Sequence, residues 1–137
     1  GVQMIWGIQW DETLKWLIDT GEKTYAEVGS SSTSWGNCYN NSFTYYTNTS
    51  KSTATKSSGT GTRIPSGAYE GANANNVYDL AGNVYDWTLE SNISENGAGR
   101  VGRGSSYNSA SSVYASFRAG EHPSNNAFGF RCTLYIK

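Results

Sequence analysis

Only one stretch of this chain keeps a helical hydrophobic period. Trp10, Leu14, Leu17 and Ile18 fall at 3.6-residue spacing, while Asp11, Glu12, Lys15 and Asp19 take the opposite face. Trp6 and Ile8 carry the apolar stripe backwards, which favours a start near Gly7 over an N-cap at Asp11, and Gly21 supplies the stop. Everything downstream must then be built from short strands and loops.

Residues 30–67 are dominated by Ser, Thr, Asn, Gly and Tyr, broken by Trp35-Gly36 and the pair Tyr45 and Tyr46, and read as a long surface excursion. Within it, residues 47–62 are almost wholly small and polar and bury too little to offset the entropy of ordering. They are expected to be mobile, or ordered only by lying on the aromatic core. Val77, Tyr78, Leu80, Val84, Tyr85, Trp87 and Leu89 then crowd around Ala81-Gly82-Asn83, as strand and turn elements in the densest part of the fold. After a polar break at 91–99 come short segments, and the alternating run 130–136 is the clearest strand. No fixed-period repeat is visible, so the plan is α+β and loop-heavy, one helix followed by short irregular strands, in a single domain spanning 1–137.

Composition removes several function classes. Abundant Trp and Tyr with a net charge of -1 are unlike a disordered chain. Ten Lys and Arg against eleven Asp and Glu give no basic excess for binding nucleic acid. No apolar run approaches the roughly 20 residues that span a bilayer, so direct membrane insertion is not expected.

Groups that carry chemistry are few. The single histidine, His122, stands beside Pro123 and makes neither a zinc site nor a triad; a loop position touching ligand suits it better. Cys38 and Cys132 lie far apart without C-x-x-C spacing, which leaves either one disulfide clipping the excursion to the last strand or two buried free thiols. Asp79, Asp86 and Glu90 flank the turn at 80–83. Acids bracketing a glycine turn can surround a calcium ion with carboxylate and carbonyl oxygens, but Asp79 capping a turn and Asp86 pairing with an arginine explains the same spacing. The sequons at Asn40, Asn48 and Asn92 carry little weight in a chain this rich in Asn and Ser.

Residues 76–88, NVYDLAGNVYDWT, are far more specific. They resemble the N-x-Y-D-[LM]-x-G-N-V-[WY]-[ED]-W segment of the formylglycine-generating enzyme, or sulfatase-modifying factor, family. Supporting marks follow in the family's order: the Trp-bearing helix, Ser34-Trp35-Gly36-Asn37, the R-G-G-S-like Arg103-Gly104-Ser105-Ser106-Tyr107, Arg118, and the G-F-R close at Gly129-Phe130-Arg131. The resemblance implies a C-type-lectin-like fold, with one or two helices, a short twisted antiparallel sheet and long loops, and, at the side chains of Asp79 and Asp86 and the carbonyls of Gly82 and Val84, a calcium site. Catalytic members carry a cysteine pair between R-G-G-S and G-F-R. Residues 107–128 contain no cysteine, so the oxidase chemistry has no carrier and a non-enzymatic member is expected.

The chain is also similar to variable proteins of diversity-generating retroelements and to related surface and tail modules of phages and gut Firmicutes. Their variable region runs from R-G-G-S to G-F-R, and adenine-replaced codons there do not yield Lys, Glu, Gln, Met or Trp; in 107–128 only Glu121 departs from that rule. The expected function is therefore a ligand-binding display module whose 103–129 segment forms the contact face, using Tyr107, Asn108, Ala110, Val113, Tyr114, Phe117, Ala119, His122, Asn125 and Asn126, with Tyr107 and Phe117 the residues most inclined to be core. Its partner would be a protein or glycan on a cell surface, its location extracellular, cell-surface or virion-associated, and a larger parent protein would supply an N-terminal part. Competing readings are a calcium-dependent lectin and a structural module of a tail or surface fibre. Arg103, Arg118 and Arg131 are assigned to structural pairs with carboxylates or backbone.

Overall fold

The computed structural model describes residues 1–94, 97–111, 113–121 and 127–134. Strand β1 (Val2–Met4) leads into helix α1 (Gly7–Asp19) and a short helix α2 (Tyr25–Gly29). A hairpin of β2 (Phe43–Tyr46) and β3 (Thr53–Lys56) is followed by a 3-10 turn and the small ladder β4 (Asn73–Ala74) with β5 (Val77–Tyr78). Strands β6 (Tyr85–Ser94), β7 (Gly97–Arg103), β8 (Arg118–Glu121) and β9 (Phe128–Phe130) form a four-stranded sheet in the order β8-β7-β6-β9. Its β6–β9 pairing is parallel and the other two are antiparallel. Strand β10 (Cys132–Leu134) returns antiparallel to β1, Val2 facing Leu134 and Met4 facing Cys132.

Helix α1 starts at Gly7, as expected, but Trp6 and Ile8, whose apolar side chains pointed to that start, are exposed and lie off the buried stripe. The side-chain carbonyl of Gln9 accepts from the Trp6 N–H at 2.8 Å, and Gly21 ends the segment with φ +75°. Trp10, Leu14 and Leu17 are buried together with Ile5, Val28, Trp35, Ala74, Leu80, Ala81 and Ala115. The Trp10 indole N–H donates to the Ala115 carbonyl at 2.9 Å, so this fully buried ring leaves no donor unpaired. Gly104, at φ +90°, lets the backbone pass against it; a Cβ there would lie 2.9 Å from the indole.

The polar excursion is ordered by a second, smaller core. Phe43, Ile64 and Ala68 are buried, and the Phe43 ring stacks on Tyr69 with centroids 3.9 Å apart. At the inner end of β3 the buried Lys56 ammonium donates to the carbonyls of Cys38 at 2.7 Å and Asn41 at 2.8 Å. Burial pushes its pKa down, and three carbonyl or amide oxygens replace the missing carboxylate. Of the two expectations for 47–62, mobility or order gained only by lying on the aromatic core, mobility is corrected over 53–56, which is a strand paired with β2. The Cys38–Cys132 disulfide is corrected as well. Both thiols are free, Cys38 sealed in the interior and Cys132 facing solvent on β10, so the alternative of two buried thiols holds for Cys38 alone.

Candidate functional site

The four-stranded sheet has two unlike faces. Side chains alternate along each strand, and paired residues share a side, so Asp86, Thr88, Val101 and Arg103 point one way and Tyr85, Trp87, Gly102, Ala119, Phe128 and Phe130 the other. The first group is buried, with Arg103 tied to α1 through Asp11, whereas Tyr85, Trp87 and Phe128 are half-buried and Phe130 is 68% exposed.

The inner face is polar and held by arginines. Arg103, 1% exposed, pairs with Asp11 of α1, donates from Nε to the Phe117 carbonyl at 3.2 Å, and lies 3.8 Å from a Glu90 oxygen. Glu90 also pairs with Arg118. Arg131 donates from Nε to Asp86 Oδ2 at 2.8 Å and from its terminal nitrogens to the carbonyls of Tyr78 and Asp79, at 3.2 and 3.0 Å. Its guanidinium stands 5.0 Å from the centre of the Trp10 ring. All three arginines are the structural pairs expected of them.

Outside lies a row of aromatic rings. Trp87 stacks on Phe128 with centroids 4.0 Å apart, Phe128 on Tyr85 at 5.0 Å, and Tyr85 meets Phe117 at 6.0 Å, which meets Tyr114 edge-on at 5.4 Å. Gly102 makes the stack fit, since a Cβ there would lie 2.4 Å from the Phe128 ring.

The expected contact residues divide. Tyr114, Phe117 and Ala119 adjoin this row, all half-buried. Asn108 is exposed with its side chain against Gly61; Ala110 is exposed and its carbonyl accepts from Asn40 Nδ2 at 2.8 Å; Tyr107 is half-buried and donates its N–H to the Asn83 carbonyl at 2.8 Å. Val113 is corrected: it is 6% exposed, its carbonyl accepting from Ser32, and belongs to the interior. His122, Asn125 and Asn126 lie outside the described residues. Tyr85, Trp87, Phe128 and Phe130 join the face although the sequence places the first two in the core. The alternation Tyr85, Trp87, Leu89 against Asp86, Thr88, Glu90 was the available sign, read with polar residues inward.

The residues implied for calcium gather only in part. Asp79, Val84 and Asp86 line a cavity of about 190 Å³ with Ser66, Asn83, Gly129, Phe130 and Arg131, while Gly82 is pressed against the Asn37 backbone. Asp79 Oδ2 accepts from the Ser66 hydroxyl at 2.8 Å and the Gly67 N–H at 3.0 Å, and its Oδ1 is buried without a partner among the described residues. Asp86 is engaged by Arg131, and burial pushes its carboxyl pKa upward against that pairing. No group of three or more metal-ligating side chains occurs among the described residues. With a guanidinium on one carboxylate and a turn on the other, the arrangement does not fit the six to eight oxygens that calcium takes. Here Asp79 caps the turn at 66–67 and Asp86 pairs with Arg131, as the alternative reading of the same spacing has them.

The fold and site define a small α+β domain with a polar, arginine-tied interior and an aromatic outer sheet face, in agreement with the C-type-lectin-like architecture implied by the motif. The chain belongs to the sulfatase-modifying factor enzyme 1-like domain family, whose model matches residues 11–136. No curated protein and no solved structure matches it.

Proposed function

We propose that this domain is a non-enzymatic display module that binds a protein or glycan on a cell surface, in the manner of the variable proteins of diversity-generating retroelements. The observation that carries the reading is the half-exposed aromatic row from Trp87 to Tyr114. Large rigid rings give contact area at low entropic cost, and the exposed Asn108 beside Tyr107 adds adaptable hydrogen bonding. A non-enzymatic role follows from the cysteine-free segment 107–128, which lacks the thiol pair of catalytic members. An extracellular, cell-surface or virion-associated location belongs to the same proposal.

The test is to sequence the codons for residues 100–131 across many cells or particles carrying the gene. Substitution confined to adenine-bearing codons, with Gly129-Phe130-Arg131 fixed, supports a diversified receptor. A uniform segment overturns diversification and leaves a module with one fixed ligand or a structural role.

A further inference from the structure

A second concave site lies away from the sheet face and shares no residue with it. The turn joining β2 to β3 is stiffened by its own bonds: the Thr47 N–H and hydroxyl both donate to the Ser52 carbonyl, at 2.7 and 3.1 Å, and the Ser52 N–H donates to Asn48 Oδ1 at 3.0 Å. Lys51 holds a left-handed backbone, φ +60°, with its N–H on the Asn48 carbonyl. The opposite wall is the turn at 65–68, closed by the Ala68 N–H on the Pro65 carbonyl and anchored through Ser66 and Gly67 to the buried carboxylate of Asp79. The Tyr46 N–H donates to the Ala68 carbonyl at 2.8 Å and ties the walls together. The site is preformed on both sides.

Between the walls is a cavity of about 340 Å³ lined by Tyr46, Asn48, Thr49, Lys51, Pro65 and their neighbours, large enough for one small-molecule unit. Lys51 is its only charged lining residue, and no carboxylate pairs with it among the described residues. The Lys51 ammonium stands 5.7 Å from the Tyr46 ring centre, so a positive charge sits beside an aromatic ring that is 36% exposed. Asn48 spends its oxygen on the turn, while its amide N–H groups have no protein partner among the described residues. A smaller cavity, of about 200 Å³, shares Tyr46 and Ala68, so the two residues form the divide between them.

We propose that the larger cavity binds an acidic sugar, a pyranose bearing a carboxylate such as a uronic or sialic acid residue. The C–H face of the pyranose packs on Tyr46 and Pro65, its hydroxyls meet Asn48 and Thr49, and its carboxylate meets Lys51. A lone ammonium with an aromatic partner favours a sugar carboxylate over a bare phosphate, which gains most from several N–H donors converging on its oxygens.

The experiment is a ¹H–¹⁵N NMR titration of the whole domain with glucuronic acid, galacturonic acid and N-acetylneuraminic acid, with glucose and inorganic phosphate as controls. At least one acid should give saturable shifts at residues 46–51 and 65–68. Lys51→Met should weaken it by about tenfold, the worth of one charge-assisted hydrogen bond, and Lys51→Arg should restore most of it. Tyr46→Ala should weaken acid binding with the dispersion of the spectrum unchanged, since both side chains lie at the surface. Absence of saturable shifts with all three acids overturns the proposal. So does an equal response to phosphate, or to glucose irrespective of Lys51.

Discussion

Helix α1 and the sheet it packs on bury opposite chemistry. The helix turns Trp10, Leu14 and Leu17 inward and leaves its charges outside; the sheet turns Asp86, Thr88 and Arg103 inward and leaves Tyr85, Trp87, Phe128 and Phe130 outside. The helix is held by apolar area and close packing, which any well-fitting apolar residues supply. The sheet's inner side is held by directional bonds, Thr88 to the Val101 carbonyl at 2.9 Å and the arginines to named acceptors, so it tolerates little substitution. Its aromatic residues are thereby left at the surface, which is what the proposed display role needs: a fixed polar interior beneath a face whose side chains do not hold the sheet together.

The comparison breaks most sharply at Trp10. Trp10→Ala removes a fully buried ring that touches Gly104, carries a hydrogen bond and faces Arg131, and should cost about 3–5 kcal/mol in denaturant unfolding. A loss below about 1 kcal/mol would mean the helix is not the apolar anchor.

Arg103→Met comes next. Breaking a buried pair is strongly destabilising when the partner is left uncompensated, but Asp11 is half-exposed and can return to water. The expected loss is about 2–4 kcal/mol, mainly from the Phe117 carbonyl and Glu90. Stabilisation by the apolar substitute would show that the sheet's polar side obeys the same rule as the helix.

How legible each region is follows from the same contrast. Helix α1 follows from sequence because periodicity and burial coincide at Trp10, Leu14 and Leu17, although Trp6 and Ile8, read as the backward end of the stripe, are exposed. The sheet does not, because Tyr85 and Trp87 sit at outward positions of a strand whose inward residues are polar, and a crowd of apolar residues there looks like core. The crowding is half informative: Leu80 and Ala81 are indeed buried. Helix α2 carries a readable sign, the reciprocal bonds of Thr24 and Glu27 in a Thr-x-x-Glu box, but five residues show no period. The β2–β3 hairpin hides because its inward positions include a lysine, and the Tyr46 cavity hides with it because its walls meet only through long-range bonds. Of the contact residues, Val113 fails because a small apolar side chain in a polar loop satisfies either role.

On the outer face the effect on folding should be smaller. Trp87→Ala removes one ring from a stack that is already half in water, at about 1–2 kcal/mol by thermal unfolding. A loss as large as that of Trp10→Ala would make the aromatic row a second core and withdraw it as a contact surface.

The smallest effect expected is none. Calcium would have to take Asp86 from Arg131, and the guanidinium holds that carboxylate together with two backbone carbonyls. Any ion bound only by the folded state raises stability by RT ln(1 + [L]/Kd), about 2.7 kcal/mol at a hundredfold excess over Kd, which is several degrees in melting temperature. Adding calcium or a chelator should leave the melting temperature of the native sequence unchanged. Arg131→Met sharpens the point. It leaves the Asp86 carboxylate without its cation, facing the same cavity as Asp79, so it should melt lower, and calcium should recover part of that loss. A calcium-dependent rise in the native sequence would show that the guanidinium yields, and would return Asp79, Gly82, Val84 and Asp86 to consideration as a metal site.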